Sequence, residues 1–315
     1  MFDYEYWGTA TLPISSQMAL EEYLLDRSEK QRVATVRFWD VPKDAVVIGY
    51  GESDSVLKKR DATFDLARRI TGGSHVQFDQ NCFAYSFTVP RDGSFRHYDD
   101  MRKYYAEKVA DALRELGIEI SGVDNRASTI SVDYKVVASH AVFWGVKSGL
   151  MHGLMSVTNY DVDRIFERML LKERRIGSHV YSEYSALKNM PALAGFLEGR
   201  MQGIDPYRKR DYAKKLIAEE ILKQVTGGKH AEMHPTQNVL DAATALVASS
   251  HMGGPWFSDR TPPYSEEEVE AIPGEALDGT LKGDLGYCMY IQVPDNDFAK
   301  MAVPGETANR EKLKH

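Results

Sequence analysis

The sequence of 315 residues lacks the features that mark secreted, membrane-spanning and nucleic-acid-binding proteins. Its two cysteines, Cys82 and Cys288, are too few for a disulfide framework or a cysteine zinc site, which favours a reducing compartment. No apolar run approaches the ~18 residues that a membrane-spanning helix needs, and no signal peptide is visible at the N-terminus. The 39 Lys and Arg against 46 Asp and Glu leave no general basic surface for nucleic acid or anionic membrane. We therefore expect a soluble, cytoplasmic protein that binds neither nucleic acid nor membranes.

The hydrophobic pattern predicts an α+β protein with a mixed, largely antiparallel sheet flanked by helices. Strand-like segments stand in groups between amphipathic helices, rather than in strict alternation with them. They cover residues 33–39, 45–50, 83–89, 129–132, 135–144 and 150–157. Ser15 or Ser16 is expected to cap the first helix and Asp99 the second. The glycine pair Gly227-Gly228 predicts a boundary between a main domain, 1–228, and a small C-terminal module with a solvated tail, 229–315.

The segment with the clearest chemical content is 68–74, which reads RRITGGS and precedes a strand. Gly72 and Gly73 have no Cβ, so their backbone N–H groups can converge on an anion, and Arg68 and Arg69 add charged donors. The motifs GxxxxGK[ST] and GxGxxG are both absent, which excludes a P-loop and a Rossmann fingerprint. The segment therefore indicates a site for phosphate, carboxylate or an acyl-phosphate anhydride. The alternative is a glycine turn between two solvated arginines.

Lys135 begins a segment that is otherwise apolar. Burying an unpaired ammonium group is costly, so a lysine in this place is favourable when it faces a cleft that holds an anion or a polarised carbonyl. The alternative is a lysine at the strand end whose ammonium group reaches water.

Several motifs in one order resemble the lipoate–protein ligase and octanoyltransferase family, which is related in fold to biotin–protein ligases and class II synthetases. The similarity covers about residues 12 to 190. It includes MALEEYLL, AVVIGY, RRITGGSHVQFDQN with a following YSF, a strand that begins with lysine, and LMHG. Within the loop, the family pattern RRx[ST]GGGAVxHDxGN is matched by Arg68, Arg69, Thr71, Gly72 and Gly73, with Val76, Asp79 and Asn81 in register.

The resemblance implies an enzyme that uses ATP and Mg2+ to activate lipoate or octanoate as the acyl-adenylate. The acyl group then passes to a lysine of an apo lipoyl domain or of the glycine cleavage H protein. Lys135 is the implied catalytic lysine, and Asp124 is a candidate for the metal through the family's Asn-Asp pair. The implied acyl-adenylate-binding residues are Arg68, Arg69, Thr71, Gly72, Gly73, Ser74, His75, Asp79, Asn81, Asn125, Lys135 and His152.

The sequence departs from the family pattern at several histidines. Ser74 and His75 replace the third glycine and the alanine of the loop, and His140 and the Met151-His152-Gly153 turn differ too. His75 stands in the ligand loop and is a candidate for direct contact. We interpret His140 as a packed strand residue, and His152 as a turn residue that can still reach the ligand.

The cysteines distinguish two mechanisms within the family. Octanoyltransferases form an acyl-cysteine near the invariant lysine, yet the segment that Lys135 begins, 135–144, contains no cysteine, and we interpret Cys82 as a core residue rather than a nucleophile. This favours the ATP-dependent ligase. The alternatives are an ATP-independent octanoyl or lipoyl transferase that takes its acyl group from acyl carrier protein, and a non-catalytic paralogue that binds lipoyl domains.

Overall fold

The computed structural model describes residues 2–58, 63–125, 128–159, 161–169, 173–176, 179–182 and 190–234, together with 236 and 239. Within these ranges the strands are β1 (Tyr4–Thr11), β2 (Ala34–Asp40), β3 (Ala45–Ile48), β4 (Asp65–Arg68), β5 (Val76–Phe78), β6 (Cys82–Pro90), β7 (Ile120–Asp124), β8 (Thr129–Val132), β9 (Lys135–Trp144), β10 (Ser148–Ser156), β11 (Glu173–Ile176), β12 (His179–Ser182) and β13 (Ala231–Glu232). The helices are α1 (Ile14–Gln31), α2 (Tyr98–Glu115), α3 (Val162–Arg168), α4 (Leu193–Phe196) and α5 (Lys209–Thr226).

A large sheet of eight strands organises the fold, in the order β13-β1-β2-β6-β10-β9-β8-β7. The pairs β13–β1 and β1–β2 are parallel, and every pair from β2 to β7 is antiparallel. Strands β4, β3 and β5 form a second, smaller sheet, and β11 and β12 form a two-stranded ribbon. The predicted mixed, largely antiparallel α+β architecture is confirmed.

The two faces of the large sheet are covered by different elements. On one face α2 and α5 bury a core that includes Phe38, Phe87 and Tyr105. On the other face α1 and the smaller sheet pack together against Trp39, Ala84 and Leu154, which lie in register across β2, β6 and β10. The loops that join the small sheet to the large one therefore lie on the face covered by α1.

Two predicted helix starts are wrong. Helix α1 begins at Ile14, after Pro13, so Ser15 and Ser16 lie inside the helix and are buried. Helix α2 begins at Tyr98, and its capping box joins His97 with Asp100 rather than using Asp99 as the cap. In both places several polar residues in a row could act as the cap, and packing of the apolar face decides between them.

The C-terminal module predicted for 229–315 lies almost wholly outside the described residues, as does Cys288. The described part shows that the chain turns at Gly227 and Gly228, both with positive φ, and that β13 then pairs with β1. Among the described helices, none is long and apolar enough to cross a membrane.

Candidate active site

Two loops meet beside the small sheet, one at 49–52 after β3 and the other at 69–75 between β4 and β5. Arg68, at the end of β4, is fully buried, and its Nη1 donates to the carbonyl oxygens of Gly49, Tyr50 and Glu52 at 2.9, 3.0 and 2.7 Å. The Tyr50 amide in turn donates to the Thr71 carbonyl oxygen at 2.9 Å. The guanidinium of Arg68 thus fixes the first loop, and the backbone joins that loop to the second.

Arg69 fixes the glycine loop from the inside. Its Nε donates to Thr71 Oγ1 at 2.9 Å, and its Nη2 donates to the carbonyl oxygens of Gly72 and Ser74 at 2.8 and 2.7 Å. Burial lowers the pKa of Arg69 to about 10, against the opposing effect of Glu52 and Glu21. The arginines were expected to donate to a ligand anion, but the hydrogen bonds described for Arg68 and Arg69 go to backbone carbonyl oxygens and to the Thr71 hydroxyl.

The glycines allow the two loops to approach closely. A Cβ on Gly49 would lie 2.9 Å from the carbonyl carbon of Gly73 and 3.3 Å from Arg69 Nη2, and closer still to the Gly73 carbonyl oxygen. Gly73 has φ +96, a conformation that favours glycine. A Cβ on Gly72, by contrast, would meet nothing within 4 Å. The backbone at Gly72 therefore borders open space.

A chain of buried hydrogen bonds connects this loop to the large sheet. Thr71 Oγ1 lies 2.7 Å from His152 Nε2, and His152 Nδ1 lies 2.7 Å from Glu21 Oε2. The other oxygen of Glu21 accepts from Trp39 Nε1 at 3.1 Å. Since Arg69 donates to the Thr71 oxygen, the Thr71 hydroxyl can donate to His152. His152 was interpreted as a turn residue, but it lies inside β10 and is buried.

The ring of His75 faces the interior. Its Nδ1 lies 2.7 Å from Glu52 Oε1, and the side chains of His75 and Glu52 are 2% and 8% exposed. Ser74, the other departure in this loop, uses its carbonyl to accept from Arg69. The ring therefore does not crowd the open side of the glycine loop.

Asp79 and Asn81 shape the turn that leads into β6. The two oxygens of Asp79 accept from the Asn81 amide at 2.7 Å and from Asn81 Nδ2 at 3.2 Å. Cys82 Sγ lies 3.3 Å from Asp79 Oδ1, and Cys82 is 1% exposed, packed in the cluster that contains Trp39 and Leu154.

Lys135 lies at the same end of the strands as this turn. Strand β9 begins at the end of the large sheet where β6 begins and β10 finishes. It is exposed, and within the described ranges its ammonium group forms no hydrogen bond or ion pair. His152 pairs with Ala141, six residues along β9, so it lies roughly 20 Å along the strand from Lys135. The loop contact at His152 and the side chain of Lys135 are therefore far apart along the sheet.

Asp124 and Asn125 lie at the outer edge of the sheet, at the end of β7. They border a shallow cavity of about 430 Å³ that Ser131 and Tyr134 also line. Asn125 Oδ1 is buried and makes no hydrogen bond to the part of the chain that the structure describes. Among the described residues there is no group of three or more His, Cys, Asp and Glu side chains that could hold a metal. One carboxylate and one amide oxygen still fit Mg2+, which commonly takes few protein ligands and several phosphate oxygens.

His140 is confirmed as a packed strand residue. It lies in β9, is buried, and its two ring nitrogens have no hydrogen-bond partner among the described residues. Burial and the nearby positive charge of Arg102 lower the pKa of His140 to about 3. The ring is therefore neutral at physiological pH.

A family model described as the lipoyl protein ligase A/B catalytic domain matches residues 13–203. The chain belongs to this family. It is 28% identical over 163 residues to a putative lipoate-protein ligase A of Aeropyrum pernix, covering 50% of this chain and 59% of that protein. The chain thus aligns with about three fifths of that relative's length.

Solved structures of lipoate ligases share the fold. A putative lipoate protein ligase of T. acidophilum with bound lipoic acid has a TM-score of 0.61 and 18% identity, covering 81% of this chain and 98% of that one. A lipoate-protein ligase A bound with ATP gives the same TM-score, identity and coverages. The mostly antiparallel architecture of the lipoyl ligase fold is therefore established for this chain.

Three residues of the site were not identified from the sequence: Gly49, Glu52 and Glu21. Gly49 and Glu21 stand inside the segments AVVIGY and MALEEYLL, which were used only as markers of the family. The glycine after the apolar strand was a usable signal, because glycine there permits close backbone approach. Glu52 and Glu21 gave no signal, since their partners lie 23 and 131 positions away in the chain.

Proposed function

We propose that this protein is an ATP-dependent lipoate– or octanoate–protein ligase. The observation that carries the proposal is the rigid glycine loop, held from within by buried Arg68 and Arg69 and open at Gly72, in a chain of the lipoyl ligase family. Backbone N–H groups of such a loop suit a phosphate or carboxylate, and Arg69 supplies a fixed guanidinium behind them. An elongated ligand such as an acyl-adenylate can extend from this loop toward Lys135.

The reaction has two steps. The carboxylate of the acid attacks the α-phosphorus of ATP, which gives the acyl-adenylate and releases pyrophosphate. The ε-amine of an acceptor lysine then attacks the acyl carbon, and AMP leaves. Lys135 would donate to the acyl carbonyl oxygen and the phosphate, where negative charge develops as the amine attacks. Lys135 is the exposed first residue of β9, so its ammonium group is accessible to a bound acyl-adenylate.

Asp124 and Asn125 would hold Mg2+ together with the nucleotide phosphates. The ion would neutralise phosphate charge. The buried, unpartnered Asn125 Oδ1 supports this assignment.

Burial of Cys82 favours the ligase over transfer through an acyl-cysteine. A thiol that is 1% exposed, beside the Asp79 carboxylate, is shielded from a bulky acyl donor and disfavoured as a thiolate. The acceptors we propose are an apo lipoyl domain or H protein, whose lysine would approach Lys135 at the exposed start of β9.

The test is a ligation assay with ATP, octanoate or lipoate and an apo lipoyl domain, run in parallel with an octanoyl carrier protein as donor. Intact mass of the acceptor should rise by the acyl mass only in the arm with ATP and free acid. Lys135→Ala should lower kcat by roughly 10²- to 10³-fold. Cys82→Ala is the matched control and should remain active. No acyl transfer with either acid would refute the proposal, while transfer from the carrier protein alone, lost in Cys82→Ala, would establish the transferase.

A further inference from the structure

The pair formed by Glu52 and His75 joins the two loops of the site through side chains. Glu52 Oε1 lies 2.7 Å from His75 Nδ1, and Glu52 Oε2 lies 3.5 Å from the amide of Gly49 in its own loop. The carbonyl oxygen of Glu52 accepts from Arg68 at 2.7 Å. Glu52 therefore contacts both loops at once.

The pair is buried directly behind the open glycines. The side chains of His75 and Glu52 are 2% and 8% exposed, so neither presents its polar atoms to a ligand on the open side. His75 stands two residues after Gly73, the glycine that closes on Gly49. Glu52 is also close enough to Arg69 to favour its charged form. A substitution of Glu52 therefore changes the surroundings of both His75 and Arg69, the two groups that hold the glycine loop.

We propose that Glu52 is a positioning residue for the acid-binding loop, acting through His75 on the backbone at Gly72 and Gly73. This inference rests on the proposed function. Glu52 does not touch the ligand; it fixes where the loop N–H groups point. Loss of the carboxylate leaves His75 buried without its partner, and the loop can then move, which impairs binding and alignment of the acid.

The experiment compares Glu52→Ala with the conservative Glu52→Gln, which keeps an acceptor for His75. Glu52→Ala should raise KM for the acid by roughly tenfold or more and lower kcat/KM by about a hundredfold. Glu52→Gln should restore most of kcat/KM. His75→Ala should resemble Glu52→Ala, and the double variant should be no worse than either single variant.

Glu5→Ala is the matched control, because it removes another carboxylate that is largely buried. Glu5 pairs with Arg27 through two contacts of 2.7 Å, on β1 and α1 and away from both loops. It should lower the melting temperature without changing KM for the acid. If Glu52→Ala and Glu5→Ala lose stability alike and both keep KM, the residue is merely structural and the inference is overturned.

Hydrogen exchange of the backbone amides at 70–75 separates this inference from the proposed function. In Glu52→Ala these amides should exchange roughly tenfold faster than in the wild type, while in Glu52→Gln and Glu5→Ala they should not. Faster exchange in Glu52→Ala, together with a wild type that proves inactive as a ligase, would refute the proposed function and keep the positioning role. Unchanged exchange in Glu52→Ala would overturn the positioning role, whatever the activity.

Discussion

The close approach of the two loops predicts that Gly49→Ala disables the site. The added Cβ would lie 2.9 Å from the Gly73 carbonyl carbon, whereas ordinary contact starts at 3.4 Å, so this carbonyl must retreat by at least 0.5 Å. The obstacle is backbone, and the Gly73 segment is held by Arg69, so no flexible side chain can give way. Overpacking of this kind lowers the free energy of unfolding by about 1–3 kcal/mol. Displacement of the binding loop should lower kcat/KM by about a hundredfold.

The assay combines thermal unfolding with the ligation assay. Gly49→Ala should lower the melting temperature by roughly 2–4 °C for each kcal/mol lost and should raise KM for the acid. Gly51→Ala is the matched control two residues away, since a Cβ there meets nothing within 4 Å and φ is not positive. The reasoning is refuted if Gly49→Ala and Gly51→Ala have the same melting temperature and the same kcat/KM.

Two further predictions concern stability. Gly153→Ala should lower the free energy of unfolding by about 1–3 kcal/mol, because its Cβ would lie 2.6 Å from Tyr85 Cε2 and closer still to the phenol end of the ring. In thermal unfolding, adding Tyr85→Leu to this variant should recover part of the loss. If the effects of the two substitutions simply add, the predicted clash is contradicted. Burial raises the pKa of Asp26 to about 6, against the opposing effect of Lys30. The protonated carboxyl group therefore contributes its full stabilisation of the fold below the ordinary pKa of 3.8, and this stabilisation is lost as the pH rises through 6. Asp26→Asn should therefore unfold at a higher temperature than the wild type at pH 7.5, with a gap that closes by pH 4, and a gap independent of pH would refute this assignment.

The sheet was predictable because its signals are local. Alternating apolar residues between turn residues marked the strands of the large sheet, and their grouping indicated antiparallel pairing. The exact beginnings of α1 and α2 were not predictable, since runs such as Ser15-Ser16 and Asp99-Asp100 offer several similar caps. The start of β10 shows the same limit, because the predicted strand begins at 150 whereas Ser148 and Gly149 already pair within the sheet.

The sequence by itself determined the chemical inventory of this protein. The glycine loop, the arginines, Lys135 and the lack of a cysteine in the segment it begins are all visible as ordered residue types, and together they indicate the family. These features are visible because each motif is contiguous, so that the residue types and their spacing along the chain are enough to identify it.

Only the tertiary structure decided what each side chain does. Arg68 and Arg69 hold loop carbonyls, His75 turns inward to Glu52, and His152 links Thr71 to Glu21. The physical reason is that a buried donor or acceptor must be satisfied, and the nearest partner is set by packing of distant segments. The bonds of His75 to Glu52 and of His152 to Thr71 and Glu21 join residues 23, 81 and 131 positions apart, and no local pattern in the sequence contains that information.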